Sequence, residues 1–234
     1  MSDIELKIEV LSKEAEANFK ADRFKDAART FEHLMTLSLQ ADDPEEALYY
    51  AYRAADCWKN DQNLGNRALV FKQVGEIAFM VCSSLALKMA ENAKNDEEKA
   101  KYLYLAGDCL RKRDKQKGKT KLKESLALFE KLISEEKNPE EKIQLMLSAL
   151  GVQEKLGGKT SINKLKRKLA TLYVKYAQEE EKGKEPENLQ RALRAYEDAE
   201  KLYKELDLKE DIKMVSKHIK KLKSQVEDYD PFKV

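Results

Sequence analysis

The tripeptide Gly-Lys-Thr occurs twice in the chain, at residues 118–120 and 158–160. In a phosphate-binding loop this tripeptide follows a strand, and a further glycine stands five residues before its own glycine, so that backbone amides converge on the phosphates. Arg113 and Gln153 occupy those positions here, and the flanking residues have helical periodicity. We therefore expect no nucleotide at either site. The pattern instead predicts turn glycines between helices and threonines that cap the helices that follow.

Few other residues have types and spacing suited to catalysis or metal binding. His33 and His218 are the two histidines, and neither has a Cys, Asp or Glu at the spacing of a metal site. Cys57, Cys82 and Cys109 are odd in number and lie in helical patterns, which predicts buried, reduced thiols. The abundant carboxylates are expected to be solvated or to pair with lysines one helical turn away. The sequence thus predicts no catalytic, metal-binding or cofactor-binding residue, and a protein that is not an enzyme.

Basic residues are concentrated between residues 111 and 123, where eight cations accompany one acid. Because the net charge of the chain is only +2, this cluster is a local feature. A rim position is expected for it, where it would dock an acidic partner helix or an anionic surface by charge complementarity; the alternative is a solvated turn. A second cluster, at 164–168, is expected on the same rim one repeat later. No aromatic residues are interleaved, which disfavours nucleic acid as a partner. The predicted basic rim comprises Arg111, Lys112, Arg113, Lys115, Lys117, Lys119, Lys121, Lys123, Lys164, Lys166, Arg167 and Lys168.

Aromatic residues supply a further candidate surface. Tyr49, Tyr50 and Tyr52 cannot all face one direction on a helix, so at least one is expected at the surface, where aromatic side chains favour protein contacts. Trp58, at the end of the same predicted helix, is a similar case. The alternative is that these rings fill the core.

Composition and periodicity predict long helices. Charged residues make up 38% of the 234 residues, with only eight Gly and four Pro, and apolar residues recur every three or four positions. Pro44, Pro139 and Pro186 stand beside acids, a pattern that starts helices. The most apolar run, residues 77–90, is too short to span a bilayer and predicts a buried helix. Helices are expected near 2–20, 23–40, 44–60, 64–91, 95–114, 118–135, 139–156, 160–182, 186–205 and 208–228.

The chain also contains an internal repeat. Residues 47–60 and 100–113 align without gaps, with matching Tyr, Ala, Asp and Cys positions. Short loops force consecutive helices to lie antiparallel, and hairpins recur about every 42 to 51 residues, a period typical of helical solenoids. The predicted fold is therefore all-α, a right-handed α-solenoid of about five antiparallel hairpins that forms one domain over residues 1–228. A tail, residues 229–234, follows it. Within this tail Asp230, Pro231 and Phe232 are predicted to dock into a partner groove; the alternative is a frayed end.

Two stretches resemble known helical repeats. Phe24, Ala27, Phe31 and Leu34 have tetratricopeptide spacing, although the unit is longer than the roughly 34 residues of that repeat. Residues 21–78 resemble more narrowly the soluble NSF attachment proteins, the SNAP family. The matching residues are Arg23-Phe24, Ala27-Ala28, Glu45-Glu46-Ala47-Leu48, Tyr52, Ala54-Ala55-Asp56, Asn66 and Lys72-Gln73-Val74.

The resemblance implies an adaptor. SNAP proteins wrap a bundle of SNARE helices with a basic concave face, and their C-terminal tip recruits a hexameric AAA ATPase. The chain differs from that family in being several tens of residues shorter and in ending "EDYDPFKV" rather than in a leucine-bearing acidic tail.

The sequence as a whole predicts a non-catalytic adaptor that binds another protein, with a SNAP-like role in membrane traffic as its sharpest version. One alternative is a generic self-associating tetratricopeptide scaffold. The other is a binder of anionic surfaces, either acidic lipid or nucleic acid, through the basic rim. We expect a monomer without cofactors, located in the cytoplasm and in peripheral contact with an anionic membrane at most.

Overall fold

The structure is a computed structural model that describes residues 3–183 and 185–228. Within these ranges it contains ten α-helices and no strand. The predicted all-α fold is confirmed, and most predicted helix ends lie at or next to the observed ones. The helices are α1 (Asp3–Lys20), α2 (Phe24–Gln40), α3 (Pro44–Asn60), α4 (Leu64–Glu91), α5 (Asp96–Leu110), α6 (Lys115–Glu135), α7 (Pro139–Leu156), α8 (Lys159–Glu180), α9 (Pro186–Glu205) and α10 (Lys209–Asp228), and a short 3₁₀ helix (Glu181–Gly183) follows α8.

Consecutive helices pack on each other within two compact units. Unit 1 contains the residues up to Asn92 together with Leu105–Lys121, and unit 2 contains Ala93–Tyr104 and the residues from Leu122 onward. In unit 1, α1 packs on α2, α2 on α3, and α3 on α4; in unit 2, α7 packs on α8, α8 on α9, and α9 on α10. Packing between chain neighbours is the arrangement that a helical repeat requires. The hand of the stack, the number of hairpins and the single-domain boundary stay predictions.

Three of the prolines begin helices, as predicted. Pro44 follows Asp43, whose side chain accepts a hydrogen bond of 2.9 Å from the backbone N–H of Glu46. Pro139 follows Asn138, which caps the amides of α7 in the same way. Pro186 is the first residue of α9. Proline costs nothing at this position, because the amide that it lacks would have no helical partner.

One type of three-residue turn recurs between helices. It joins α1 to α2, α2 to α3, α3 to α4 and α9 to α10. The residue after the central one donates its N–H to a carbonyl five residues back, which closes the end of the preceding helix; Asn63 N to Trp58 O, at 2.9 Å, is one example. Aspartate, the central residue in three of these turns, accepts the left-handed conformation that this turn needs at a modest cost. The central residues, with φ between 54° and 60°, are Asp22, Asp42, Gln62 and Asp207.

The core of unit 1 combines large side chains with alanines. Phe31, Leu34, Trp58 and Val70 are buried between α1, α2, α3 and α4. Trp58 Nε1 donates a hydrogen bond of 2.6 Å to Glu32, so the indole is satisfied although it is buried. Of the two interpretations of Trp58, the alternative that its ring fills the core is confirmed. Small residues let the helix backbones approach closely, and the alanines buried in this core are Ala15, Ala27, Ala28, Ala47, Ala51, Ala54 and Ala55.

Unit 2 repeats this combination. Leu122 and Phe129 of α6 pack against α7, and Ser125 Oγ donates a hydrogen bond of 2.7 Å to the carbonyl of Ala100 in α5. Tyr196 and Leu222 are fully buried between α8, α9 and α10. Each helix of the unit therefore contributes one apolar face to a continuous run of neighbour contacts.

The first Gly-Lys-Thr lies inside a helix, which corrects the prediction of a turn. Helix α5 ends at Leu110, and α6 begins at Lys115 because Asp114 accepts hydrogen bonds of 3.0 Å from the amides of Gln116 and Lys117. Gly118 is therefore in the first turn of α6, buried against the backbone of Arg111. Its role is close approach between helices, with no phosphate-binding geometry.

Neither motif threonine caps a helix. Thr120 Oγ1 donates to the carbonyl of Gln116 within α6, and Thr160 lies in the first turn of α8 behind Gly158. The second motif does contain turn glycines, as predicted. Gly157 and Gly158 both have positive φ, 83° and 94°, between α7 and α8.

Two of the three cysteines are joined. Cys82 of α4 and Cys109 of α5 form a disulfide within unit 1, with their Cα atoms 6.3 Å apart. The expectation of three reduced thiols is thus wrong for this pair, because spacing along the chain does not show which helices meet. Cys57 is free and buried, and burial raises the pKa of its thiol to about 11.

Replacing Gly118 by alanine is expected to lower the free energy of unfolding by about 2 kcal/mol. The added Cβ would lie 2.6 Å from the backbone nitrogen of Arg111, so α5 and α6 would have to separate. The change in the free energy of unfolding is measured by urea denaturation monitored with circular dichroism. Gly151→Ala in α7 is the control, because nothing lies within 4 Å of its added Cβ; we expect it to stabilise by about 0.5–1 kcal/mol. Equal stability of the Gly118→Ala variant and the wild type would refute the close approach.

Replacing Cys82 and Cys109 together by serine is expected to lower the free energy of unfolding by about 3 kcal/mol under oxidising conditions. The bridge closes a loop of 27 residues and restricts the unfolded chain. With a thiol reductant present, the difference should disappear. Thiol titration of the oxidised wild type should find one reactive group, Cys57, and only after unfolding. Three thiols in the denatured protein would contradict the pairing.

Candidate partner-binding surfaces

The first basic cluster occupies the turn between α5 and α6 and the start of α6. Arg111 is half-buried, and its guanidinium lies 3.5 Å from Asp108. The Lys112 ammonium lies 6.0 Å from the centroid of the Phe79 ring, which belongs to α4. Lys117 lies 4.0 Å from Asp114. Part of the cluster is therefore engaged with its own unit, and Lys112 is adjacent to an exposed aromatic ring.

The other cations of this cluster differ in their exposure to solvent and in the compact unit to which they belong. Lys121 is half-buried and has an interaction partner. Lys123 belongs to unit 2, whereas the residues from 111 to 121 belong to unit 1. The exposed cations of the cluster that belong to unit 1 are Lys112, Arg113, Lys115, Lys117 and Lys119.

A cavity of about 230 Å³ adjoins the cluster in unit 1. Arg113 lines it together with Asp42, Phe79 and Leu110. Small-molecule sites usually enclose roughly 300–1,000 Å³, so this cavity is better suited to an inserted side chain than to a cofactor. Further apolar lining comes from Pro44, Met80 and Leu87.

The second basic cluster is divided between two faces of α8. Lys164, Arg167 and Lys168 line one surface depression with Thr171, because positions three, four and seven residues apart share a helix face. Lys166 lies on another face and is paired with Glu205 at 2.7 Å and with Glu154 at 3.8 Å. The structure therefore brings three of the four predicted cations together. Binding of a partner by any of them stays a prediction.

Helix α4 carries an apolar surface that the sequence reasoning missed. By length and composition α4 could cross a membrane, and it is the one such helix within the described ranges. Only 22% of the apolar stretch of α4 that is long enough to cross a membrane is buried, so the expectation of a buried helix is wrong. Its exposed residues Ala68, Gly75 and Ala78 lie on the same side as five large ones. We call the large ones the α4 stripe: Leu64, Phe71, Phe79, Leu85 and Met89.

A sequence signal for this surface exists. Apolar residues occur on all sides of α4, whereas a helix of a globular protein usually has one apolar stripe about 100° wide. In the first half of the helix, Val70, Val74 and Ile77 face the core of unit 1. These residues occupy the side that packs on α3, and the end of α5 meets α4 at Cys82, yet the residues of the α4 stripe stay 40–70% exposed.

The tyrosine prediction is confirmed. Tyr50 is buried and its hydroxyl donates to Glu46, whereas Tyr49 and Tyr52 are about half exposed on α3. The tail residues Asp230, Pro231 and Phe232 lie outside the described ranges, so their predicted docking stays a prediction.

The two histidines lie in structural surroundings. His33 is exposed. His218 is half-buried, stacks on Tyr196 with 4.8 Å between ring centroids, and has Nδ1 3.4 Å from Glu181. Tyr196 also donates a hydrogen bond of 2.7 Å to Glu181, and burial, followed by this carboxylate, raises the pKa of the tyrosine hydroxyl. In the described part of the chain, no three His, Cys, Asp or Glu side chains are grouped as a metal site.

No model of a known protein family and no curated protein matches the chain. The helical repeat therefore rests on the structure, and the SNAP resemblance rests on the residues quoted for it. In the structure six of those sixteen residues are buried: Ala27, Ala28, Ala47, Ala54, Ala55 and Val74. The candidate functional surfaces are the cavity with its adjacent cations and the α4 stripe.

Proposed function

We propose that the chain is a non-catalytic helical-repeat adaptor that binds another protein at the cavity beside the first basic cluster. The observation that carries this proposal is the combination of an apolar cavity with two adjacent cations, Lys112 and Arg113, in one unit. An apolar side chain from a partner would fill the cavity, and acidic residues beside it would meet the two cations.

The partner that suits this combination is an acidic amphipathic helix. Such a helix presents apolar anchors three or four residues apart on one face, and its acids lie along the flanks. Rim charges increase the rate of encounter and fix the register, while the buried anchor supplies most of the affinity. A cavity below the usual size for small molecules favours this partner over a metabolite.

A SNAP-like role is the sharper version of this proposal. In that version the partner is a bundle of SNARE helices, and an AAA ATPase is recruited at the complex, near a membrane in the cytoplasm. It is supported by the residues of segment 21–78 that resemble the family and by packing between consecutive helices.

The test is capture of partners by the immobilised full chain, followed by binding measurements with the purified partner. We expect the Lys112→Ser/Arg113→Ser variant to bind at least one captured protein about tenfold more weakly than the wild type, a loss of about 1.4 kcal/mol. Raising the salt concentration should weaken wild-type binding and narrow this difference. Both substituted residues are exposed, so the fold should be retained.

The matched control is Lys7→Ser/Lys20→Ser, which removes two exposed cations of α1. It should capture the same proteins as the wild type. If the wild type, Lys112→Ser/Arg113→Ser and Lys7→Ser/Lys20→Ser capture the same partner proteins with equal affinity, the cavity and its cations are not the binding site. If the captured protein is the chain itself, and light scattering shows a concentration-dependent dimer, the self-associating scaffold replaces the proposal.

A further inference from the structure

The α4 stripe requires an occupant other than the partner proposed for the cavity. Helix α4 has 28 residues and is therefore about 42 Å long, and the stripe extends from its first turn to its last. Soluble monomers seldom expose contiguous apolar patches larger than a few hundred Å². The cavity lies beside Phe79, at the edge of the stripe, so filling it would leave Phe71, Leu85 and Met89 uncovered.

The charges around the stripe are predominantly positive. Helix α4 contains three cations, Arg67, Lys72 and Lys88, and two acids, Glu76 and the terminal Glu91; Asp42 lines the cavity with Phe79. The Arg67 guanidinium lies 5.3 Å from the centroid of the Phe71 ring. At Phe79 the adjacent cation is Lys112, and the exposed cations of α6 follow along the chain. The occupant must therefore accept apolar rings and carry negative charge at their edges.

A membrane surface with anionic lipids meets both conditions. Amphipathic helices that lie in the membrane interface bury Phe and Leu at the boundary between headgroups and acyl chains, while Lys and Arg meet the headgroups. Clusters of four to eight cations next to such a helix bind anionic lipids. In protein interfaces, by contrast, lysine is depleted. Charge complementarity and composition thus favour lipid over a partner helix at this face.

We propose that α4 lies in the interface of a membrane that contains anionic lipids, with the α4 stripe against the acyl chains. The helix does not cross the bilayer, because Val70, Val74 and Ile77, on the side next to the stripe, belong to the core of unit 1. The disulfide between Cys82 and Cys109 holds the end of α5 against α4, so the basic turn stays beside the stripe. This inference does not rest on the protein partner proposed for the cavity.

Flotation of the full chain with vesicles tests the proposal. We expect the wild type to partition at least tenfold more strongly onto vesicles of phosphatidylcholine with about one-third phosphatidylserine than onto phosphatidylcholine alone. Phe71→Ser/Leu85→Ser should weaken this partition by about tenfold. Lys112→Ser/Arg113→Ser should weaken binding to the phosphatidylserine vesicles and leave the residual binding to phosphatidylcholine unchanged.

Leu69 provides the matched control. It is 64% exposed, more than Phe71 at 43%, but lies about 160° from Phe71 around the same helix. Leu69→Ser should therefore partition like the wild type, and circular dichroism should show the same helix content in every variant. A polarity-sensitive dye on Phe71→Cys should shift to shorter wavelength on the phosphatidylserine vesicles, whereas the same dye on Leu69→Cys should not.

Three results would overturn the proposal. The first is no binding of the wild type to either vesicle. The second is equal partition of Phe71→Ser/Leu85→Ser and wild type, because the attraction would then be electrostatic alone. The third is a wild-type dimer that Phe71→Ser/Leu85→Ser dissociates and that excludes vesicles, because a second copy would then cover the stripe. The proposed protein partner can fail or succeed independently, since its variants are read by affinity for that partner without vesicles.

Discussion

Short turns between consecutive helices are the constraint on which the rest of the structure depends. A three-residue connection leaves a helix no choice but to pack on the one before it, and the recurring turn with a left-handed central residue makes this connection at four places. Once each helix is held against its predecessor, small residues at the contact determine how closely the backbones approach. Buried alanines serve this purpose in unit 1, and Gly118 does so where α6 meets the end of α5.

The same constraint explains why α4 is exposed. A helix in a stack packs on the helix before it and the helix after it, so it needs apolar residues on the sides that meet those two neighbours and polar residues elsewhere. Helix α4 has apolar residues on more sides than its neighbours cover, and Val70 and Phe71 lie in adjacent positions on different sides, one buried and one exposed. An apolar stripe left uncovered in this way is characteristic either of an interaction surface or of a site that favours aggregation.

Local chemistry made most of the fold predictable from the sequence. Pro44 and Pro139 mark helix starts because the missing amide, the preceding cap and the following acids act within one turn, so no tertiary information is needed. The boundary between α5 and α6 was misplaced because the cap is Asp114, which stands among basic residues, and because glycine at 118 suggested a turn. Gly118 is required instead by a contact between helices, which the sequence pattern around it does not display.

The candidate surfaces were less predictable for the same reason. Composition located the basic cluster at 111–123, but which of its cations border an apolar ring depends on the packing of α5 against α4, and the Cys82–Cys109 pairing depends on that packing too. Lys166 shows the converse: it is one of four clustered cations, yet two carboxylates from α7 and α9 engage it within its own unit. Charge counted along the chain overstates the charge that a partner can meet, because part of it is neutralised by neighbours that the sequence does not reveal.

The two proposals place different partners on neighbouring faces of α4, and the arrangement of these faces constrains how both could act. The cavity is lined by Phe79, Met80 and Leu87. Phe79 is also the edge of the α4 stripe, whereas Phe71, Leu85 and Met89 lie in the stripe and do not line the cavity. A protein partner seated in the cavity would then lie beside the stripe without covering it, and its acids would share Lys112 with lipid headgroups. Because the partner's acids and the lipid headgroups would both use Lys112, each occupant would slightly weaken the binding of the other at that edge. The binding free energies of their apolar contacts would add, because those contacts use different residues. An adaptor built in this way would hold its partner next to a membrane through one helix. The Cys82–Cys109 disulfide would keep the basic turn beside both the cavity and the α4 stripe.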